Sequence, residues 1–146
     1  MSNVQKTKIE IINSQESIIL DLDSISVLSK KAYTFCLQES KEGSPLRELH
    51  SIEVSVLNDK QIGLVHEEFM NDPTPTDVIT FDYGEILVSA ETALVQSKNL
   101  GVSLENEILL YIIHGMLHLG GYLDKNEVDF NEMKILQERI LNSCLG

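Results

Sequence analysis

The chain has 146 residues, 42% of them hydrophobic, with a formal net charge of −12 and a pI near 4.6. That length fits one globular domain, expected to span residues 1–146. The strong acidity excludes a general nucleic-acid coat, because phosphate binding relies on Lys and Arg. Cys36 and Cys144 form neither a CxxC pair nor a dense framework, so a disulfide scaffold and a thiolate zinc site are both unsupported. From Met1 to Leu20 only short apolar runs occur, too little for a secretory signal, and no stretch is long enough to span a membrane. A cytoplasmic location is expected.

In chain order, Lys6 to Asn13 reads as a first strand, rich in Ile. Asp23 or Ser24 can cap a helix to about Leu37, with Ile25, Leu28, Ala32, Phe35 and Cys36 on one stripe. Glu42-Gly43-Ser44-Pro45 breaks the chain, and Ser51 to Leu57 alternates as a second strand. Between Leu28 and His50, Lys30, Lys31, Lys41 and Arg47 outnumber the acids Glu39, Glu42 and Glu48, so this stretch leans slightly positive. Taken alone, these bases read first as an ordinary solvated helix face and loop.

Asp59 to Phe69 has helical spacing, and the prolines of Asn71-Asp72-Pro73-Thr74-Pro75 then hold the chain extended. They deliver Thr76 to Phe81 as a third strand. Asp82-Tyr83-Gly84 is turn material, and Glu85 to Ser89 reads as a fourth strand. A helix follows from about Ala90 to Asn99 and stops at Gly101. Ser103 caps the next, with Glu105 and Glu107 in its first turn near the positive end of its dipole. Phe130, Met133, Leu136 and Ile140 mark a C-terminal helix. The pattern predicts an α+β or α/β fold: a small mixed four-stranded sheet packed with about five helices.

The chemistry concentrates in His114-Gly115-Met116-Leu117-His118-Leu119-Gly120-Gly121-Tyr122-Leu123-Asp124. Histidines at i and i+4 lie on one helix face and can share a metal ion. Gly120 and Gly121 let the chain leave the helix sharply, so that Asp124 can close the site from a third direction. Two histidines and a carboxylate, with a position left for water, have the make-up of a catalytic rather than a structural zinc site. The ordinary alternative is a pair of hydrogen-bonded core histidines. The helix leading into them, Ile108 to Ile113, is apolar all round and therefore buried, where imidazoles need partners. His50 and His66 lack motif context and read as structural or solvent-facing.

These residues resemble the YbeY family of bacterial metal-dependent endoribonucleases. The family motif His-Gly-x-Leu-His-Leu-x-Gly-Tyr-Asp-His is matched at His114, Gly115, Leu117, His118, Leu119, Gly121 and Tyr122. The family's Thr-Asp-Val-Leu-Ser-Phe strand is matched by Thr76 to Phe81, and its Gly-Asp-Ile by Gly84-Glu85-Ile86. Two positions depart from the pattern. Asp124 stands at the third histidine, with Leu123 at the preceding aspartate, and Met70 stands where the family commonly carries an arginine suited to phosphate.

The resemblance implies hydrolysis of single-stranded RNA, with one zinc ion per chain held by His114, His118 and Asp124. It further implies partners in ribosomal RNA and the small ribosomal subunit or its proteins, a role in 3′-end maturation of small-subunit RNA, and ribosome quality control. Glu85 is the candidate acid-base residue, read first as an ordinary strand carboxylate. Lys30, Lys31 and Arg47 are the candidate replacements for the missing arginine. The spacing also resembles metzincin-like peptidases, although Gly115 stands where such an enzyme keeps its catalytic glutamate. A ribosome-binding metalloprotein without catalysis is the third reading.

Overall fold

A computed structural model describes residues 7–146; the expected strand start at Lys6 lies outside them. Ten elements follow in order: β1 (Lys8–Asn13), α1 (Leu22–Glu39), α2 (Pro45–Glu48), β2 (Ser51–Leu57), α3 (Asp59–Met70), β3 (Val78–Phe81), β4 (Glu85–Ser89), α4 (Ala90–Leu100), α5 (Leu104–Leu119) and α6 (Glu127–Leu145). The four strands form one sheet in the order β1-β2-β4-β3. β1, β2 and β4 run parallel, and β3 pairs antiparallel with β4 through Val78–Val88 and Phe81–Glu85. This is the α+β architecture expected from the element pattern.

Alternation along the strands sorts the core. Ile52, Val54 and Val56 of β2 and Ile86 and Val88 of β4 point to one face, where they join Ile25, Ala32 and Cys36 of α1 and the buried residues of α5 and α6. Leu87 of β4 and Ile79 of β3 point to the other, where Ile62 of α3 and Leu57 cover them. α5 is the central helix: Ile108, Leu109, Ile112, Ile113, Met116, Leu117 and Leu119 are all fully buried. Cys36 and Cys144 are free and buried, and burial pushes both thiols up. No single helix among the described residues is long and apolar enough to cross a membrane.

The differences from the sequence reading are local. The helix α1 is capped by Asp21, whose side chain accepts from the Ser24 N–H, rather than by Asp23 or Ser24. The break at Gly43-Ser44-Pro45 contains a sixth, four-residue helix opened by the proline, a favoured first helical residue. The third strand begins at Val78 instead of Thr76, because Asp77 spends its side chain on the Val78 N–H while its carbonyl accepts from Ser89.

Candidate metal centre

Three devices place the motif. Ser103 caps α5 by accepting from the Asn106 N–H. Gly115 lets α5 lie directly on the sheet: a Cβ there would meet Ile86 Cγ2 at 2.9 Å and Thr80 Oγ1 at 3.0 Å. At the far end, Gly121 adopts φ +96°, a conformation that L side chains rarely take. The loop that follows is tied to the end of α1. Lys41 N donates to the Gly120 carbonyl at 2.8 Å, the Tyr122 hydroxyl donates to the Glu39 carbonyl at 2.8 Å, and the Lys41 ammonium sits 4.6 Å over the Tyr122 ring. These anchors deliver Asp124 above the two histidines.

The three side chains meet at one point. Asp124 Oδ2 lies 3.5 Å from His114 Nε2 and 3.4 Å from His118 Nε2, and all three potential ligand atoms fall within 4.8 Å of one another. Zinc bonds of about 2.0–2.1 Å arranged tetrahedrally place neighbouring donors about 3.3–3.4 Å apart, so the two separations from Asp124 to the histidines fit such an ion. The remaining ring nitrogens are engaged from behind. His118 Nδ1 donates to the Tyr122 carbonyl at 2.9 Å, and His114 Nδ1 donates to Gln137 Oε1 of α6 at 2.9 Å. A carbonyl can only accept, so Nδ1 of His118 carries the proton and Nε2 keeps a lone pair for a metal. Outer hydrogen bonds of this kind orient imidazole ligands. The donor set therefore fits zinc, and the tertiary structure brings together the group that the motif spacing predicts.

If Asp124 coordinates rather than simply accepting from the histidines, Asp124→Ala should lower zinc affinity while Asp124→His should keep or raise it. Titration of the metal-free proteins with zinc checks this, and equal affinity in all three would place Asp124 outside the coordination sphere.

The group opens onto a cleft of about 440 Å³ between α5 and the segment Thr76–Thr80, walled on its far side by His66 and Met70 of α3. Of the candidate residues, Glu85 does not line it; its carboxylate accepts from the Tyr83 hydroxyl, a bond that raises the Tyr83 pKa to about 12. Nor do the three candidate bases. Lys31 Nζ donates to the Cys144 carbonyl at 3.2 Å, Arg47 straps the end of α1 through Ser40 at 2.6 and 3.0 Å, and Lys30 is exposed on α1. Met70, 61% exposed, presents a thioether where the family pattern expects a guanidinium.

Two further features had no clear signal in the sequence. His66 lines the cleft with Nδ1 donating to the Thr74 carbonyl at 2.8 Å, whereas His50 is exposed and does not line it. Glu107, expected as an ordinary first-turn acid, is 5% exposed and lines an adjoining hollow of about 510 Å³ that shares Thr76, Asp77, Val78 and His114 with the cleft. Burial pushes its carboxyl up, the charge of Asp77 adds to that, and a bond from Tyr111 opposes it. An aromatic ladder stands on the α3 side of the sheet, next in the chain to the cleft residues Met70 and Asp82: Phe69 packs edge-on to Phe81 at 5.1 Å, and Phe81 stacks on Tyr83 at 5.5 Å. Phe69 and Tyr83 are 60% and 69% exposed.

A mixed sheet whose central buried helix presents two histidines, closed by a loop carboxylate at an open cleft, defines a protein with a metal-binding group of the kind that enzymes place at an open site. The family model described as Endoribonuclease YbeY matches residues 10–145, and the chain belongs to that family. Relatives named Endoribonuclease YbeY include one from Acholeplasma laidlawii, 36% identical over 107 residues that cover 68% of this chain and 78% of the relative. Another, from Petrotoga mobilis, is 30% identical over 146 residues covering 94% and 96%. The solution structure of TM1509 from Thermotoga maritima is similar, with a TM-score of 0.61 and 25% identity, covering 92% of this chain and 90% of that one. The metzincin-like alternative loses its footing in the geometry, because Gly115 faces the sheet and leaves no room for a catalytic glutamate.

Proposed function

We propose that this protein is a zinc-dependent endoribonuclease, holding one ion per chain at His114, His118 and Asp124, that cuts single-stranded RNA in the cleft beside α5. The observation that carries this reading is the convergence of three donor atoms at the head of an open cleft in a member of the YbeY family. Bound there, the ion supplies polarisation of a phosphoryl oxygen and a water of lowered pKa. The chain's own groups do the rest. Gln137 and the Tyr122 carbonyl hold both imidazoles in the metal-ready tautomer. Thr76 and Thr80 in the cleft wall offer hydroxyls to phosphate oxygens. The exposed faces of Phe69 and Tyr83 give unpaired bases a stacking surface, which supports a single-stranded substrate.

Ribosomal RNA is the substrate that the family resemblance favours, with 3′-end maturation of the small-subunit RNA and ribosome quality control, in the cytoplasm, as the setting. No Lys or Arg lines the cleft, while Asp77, Asp82 and Asp124 do, so bare RNA should bind weakly and the small subunit or its proteins should supply part of the recognition. Purified zinc-loaded protein is expected to cut ribosomal RNA, free or within subunits, and to stop when a chelator is added. If zinc-loaded protein cuts RNA in neither form, a non-catalytic ribosome-binding role replaces this reading.

A further inference from the structure

The cleft holds a basic side chain that is not part of the metal group. Of the residues lining it, only His66, His114 and His118 are basic, and the last two have their Nε2 atoms directed at Asp124. His66 stands on α3, one turn before Met70, so the two share a helix face toward the cleft. Its ring is held from behind by the hydrogen bond from Nδ1 to the Thr74 carbonyl, made from the loop that joins α3 to β3. A carbonyl only accepts, so Nδ1 is committed as a donor and Nε2 is the nitrogen left for a ligand.

This placement answers a chemical need. Hydrolysis of a phosphodiester breaks a P–O bond to a sugar oxygen, an alkoxide too basic to leave unless it is protonated, and Lys and Arg are absent from the cleft wall. Asp72 of the loop interacts with the charge of His66, and Asp77, Asp82 and Asp124 are the charged groups that line the cleft with it.

Resting on the RNA-cleavage reading above, we propose that His66 is the general acid of this cleft. A water oxygen forms the new bond to phosphorus and sheds its proton to solvent. The bond from phosphorus to the leaving sugar oxygen breaks, its electron pair stays on that oxygen, and the proton on Nε2 of the His66 imidazolium passes to it. Solvent then reprotonates Nε2. The thioether of Met70 beside it has no proton to give, so the role falls to the neighbouring turn.

The test uses leaving groups of different basicity. Oligonucleotides that the wild type cuts are made with either bridging oxygen at the cleavage position replaced by sulfur, since a thiolate leaves without protonation. His66→Gln and His66→Ala should slow cleavage of ordinary RNA by about 100-fold or more, yet cut the sulfur-bridged RNA for which sulfur is the leaving atom within a few-fold of wild type. Zinc content and thermal midpoint should match wild type, which separates this role from a structural one. Equal slowing on both substrates, or no slowing on either, overturns the assignment while leaving the nuclease reading intact. A zinc-loaded wild type that cuts neither substrate overturns both.

Discussion

Replacing His114 or His118 with alanine should strip the protein of its metal and abolish RNA cleavage. Each imidazole supplies one of only three protein donors, and Asp124 with a single remaining histidine is a weak, exposed pair. Losing even an outer hydrogen bond to a ligand typically costs 10–100-fold in metal affinity, so loss of a ligand should exceed about 100-fold. Gln137→Ala supplies the internal calibration. It removes only the bond that orients His114 and should fall within that 10–100-fold range. Elemental analysis of tag-free protein reads the metal, and a cleavage assay in parallel reads the activity. Unchanged metal in both alanine variants would sink the site, and cleavage that persists in a metal-free variant would point to a contaminating nuclease.

The second large effect concerns Gly115. A methyl group at this position would press on Ile86 at 2.9 and 3.0 Å and on the Thr80 hydroxyl at 3.0 Å, so α5 must shift off the sheet or β4 must yield. Overpacking of this kind typically costs about 1–3 kcal/mol, partly offset by the roughly 0.5–1 kcal/mol that alanine gains over glycine inside a helix. Gly115→Ala should therefore lower the thermal midpoint by a few degrees, at about 2–4 °C per kcal/mol for a domain of this size. Gly115→Glu, which writes the peptidase pattern His-Glu-x-x-His into the chain, adds an unpartnered carboxylate against Ile86 and should destabilise far more. It should yield unfolded or aggregated protein and no peptidase activity. A folded Gly115→Glu variant with an unchanged midpoint would show that α5 does not lie on the sheet as described.

Much of this was legible in the chain because it depends on short-range periodicity. The i, i+4 spacing of His114 and His118, the apolar residues all round α5, the capping serine at 103 and the glycine exit at 121 are each set within a few residues, and helix geometry alone converts them into a shared face, a buried helix and a sharp loop. The same holds for the alternation in β2, which assigned Ile52, Val54 and Val56 to one face. Asp124 was legible as a partner for the histidines because six residues with a double glycine leave it little else to reach.

What local pattern could not decide was which distant segments meet. His66 is 48 residues from His114 in sequence and shares its cleft only because β3 pairs antiparallel with β4 and α3 covers that end of the sheet. Glu107 has the spacing of a routine first-turn acid, and only the docking of α5 against the Asp77 segment turns it inward. Conversely, Lys31 and Arg47 carry the right charge for phosphate, yet the packing of α1 against α6 and α2 spends them on the Cys144 and Ser40 backbone, away from the cleft. Charge and residue type are properties of a position in the chain, whereas proximity to a reacting phosphate comes from long-range strand order and helix docking, which the sum of many weak contacts selects.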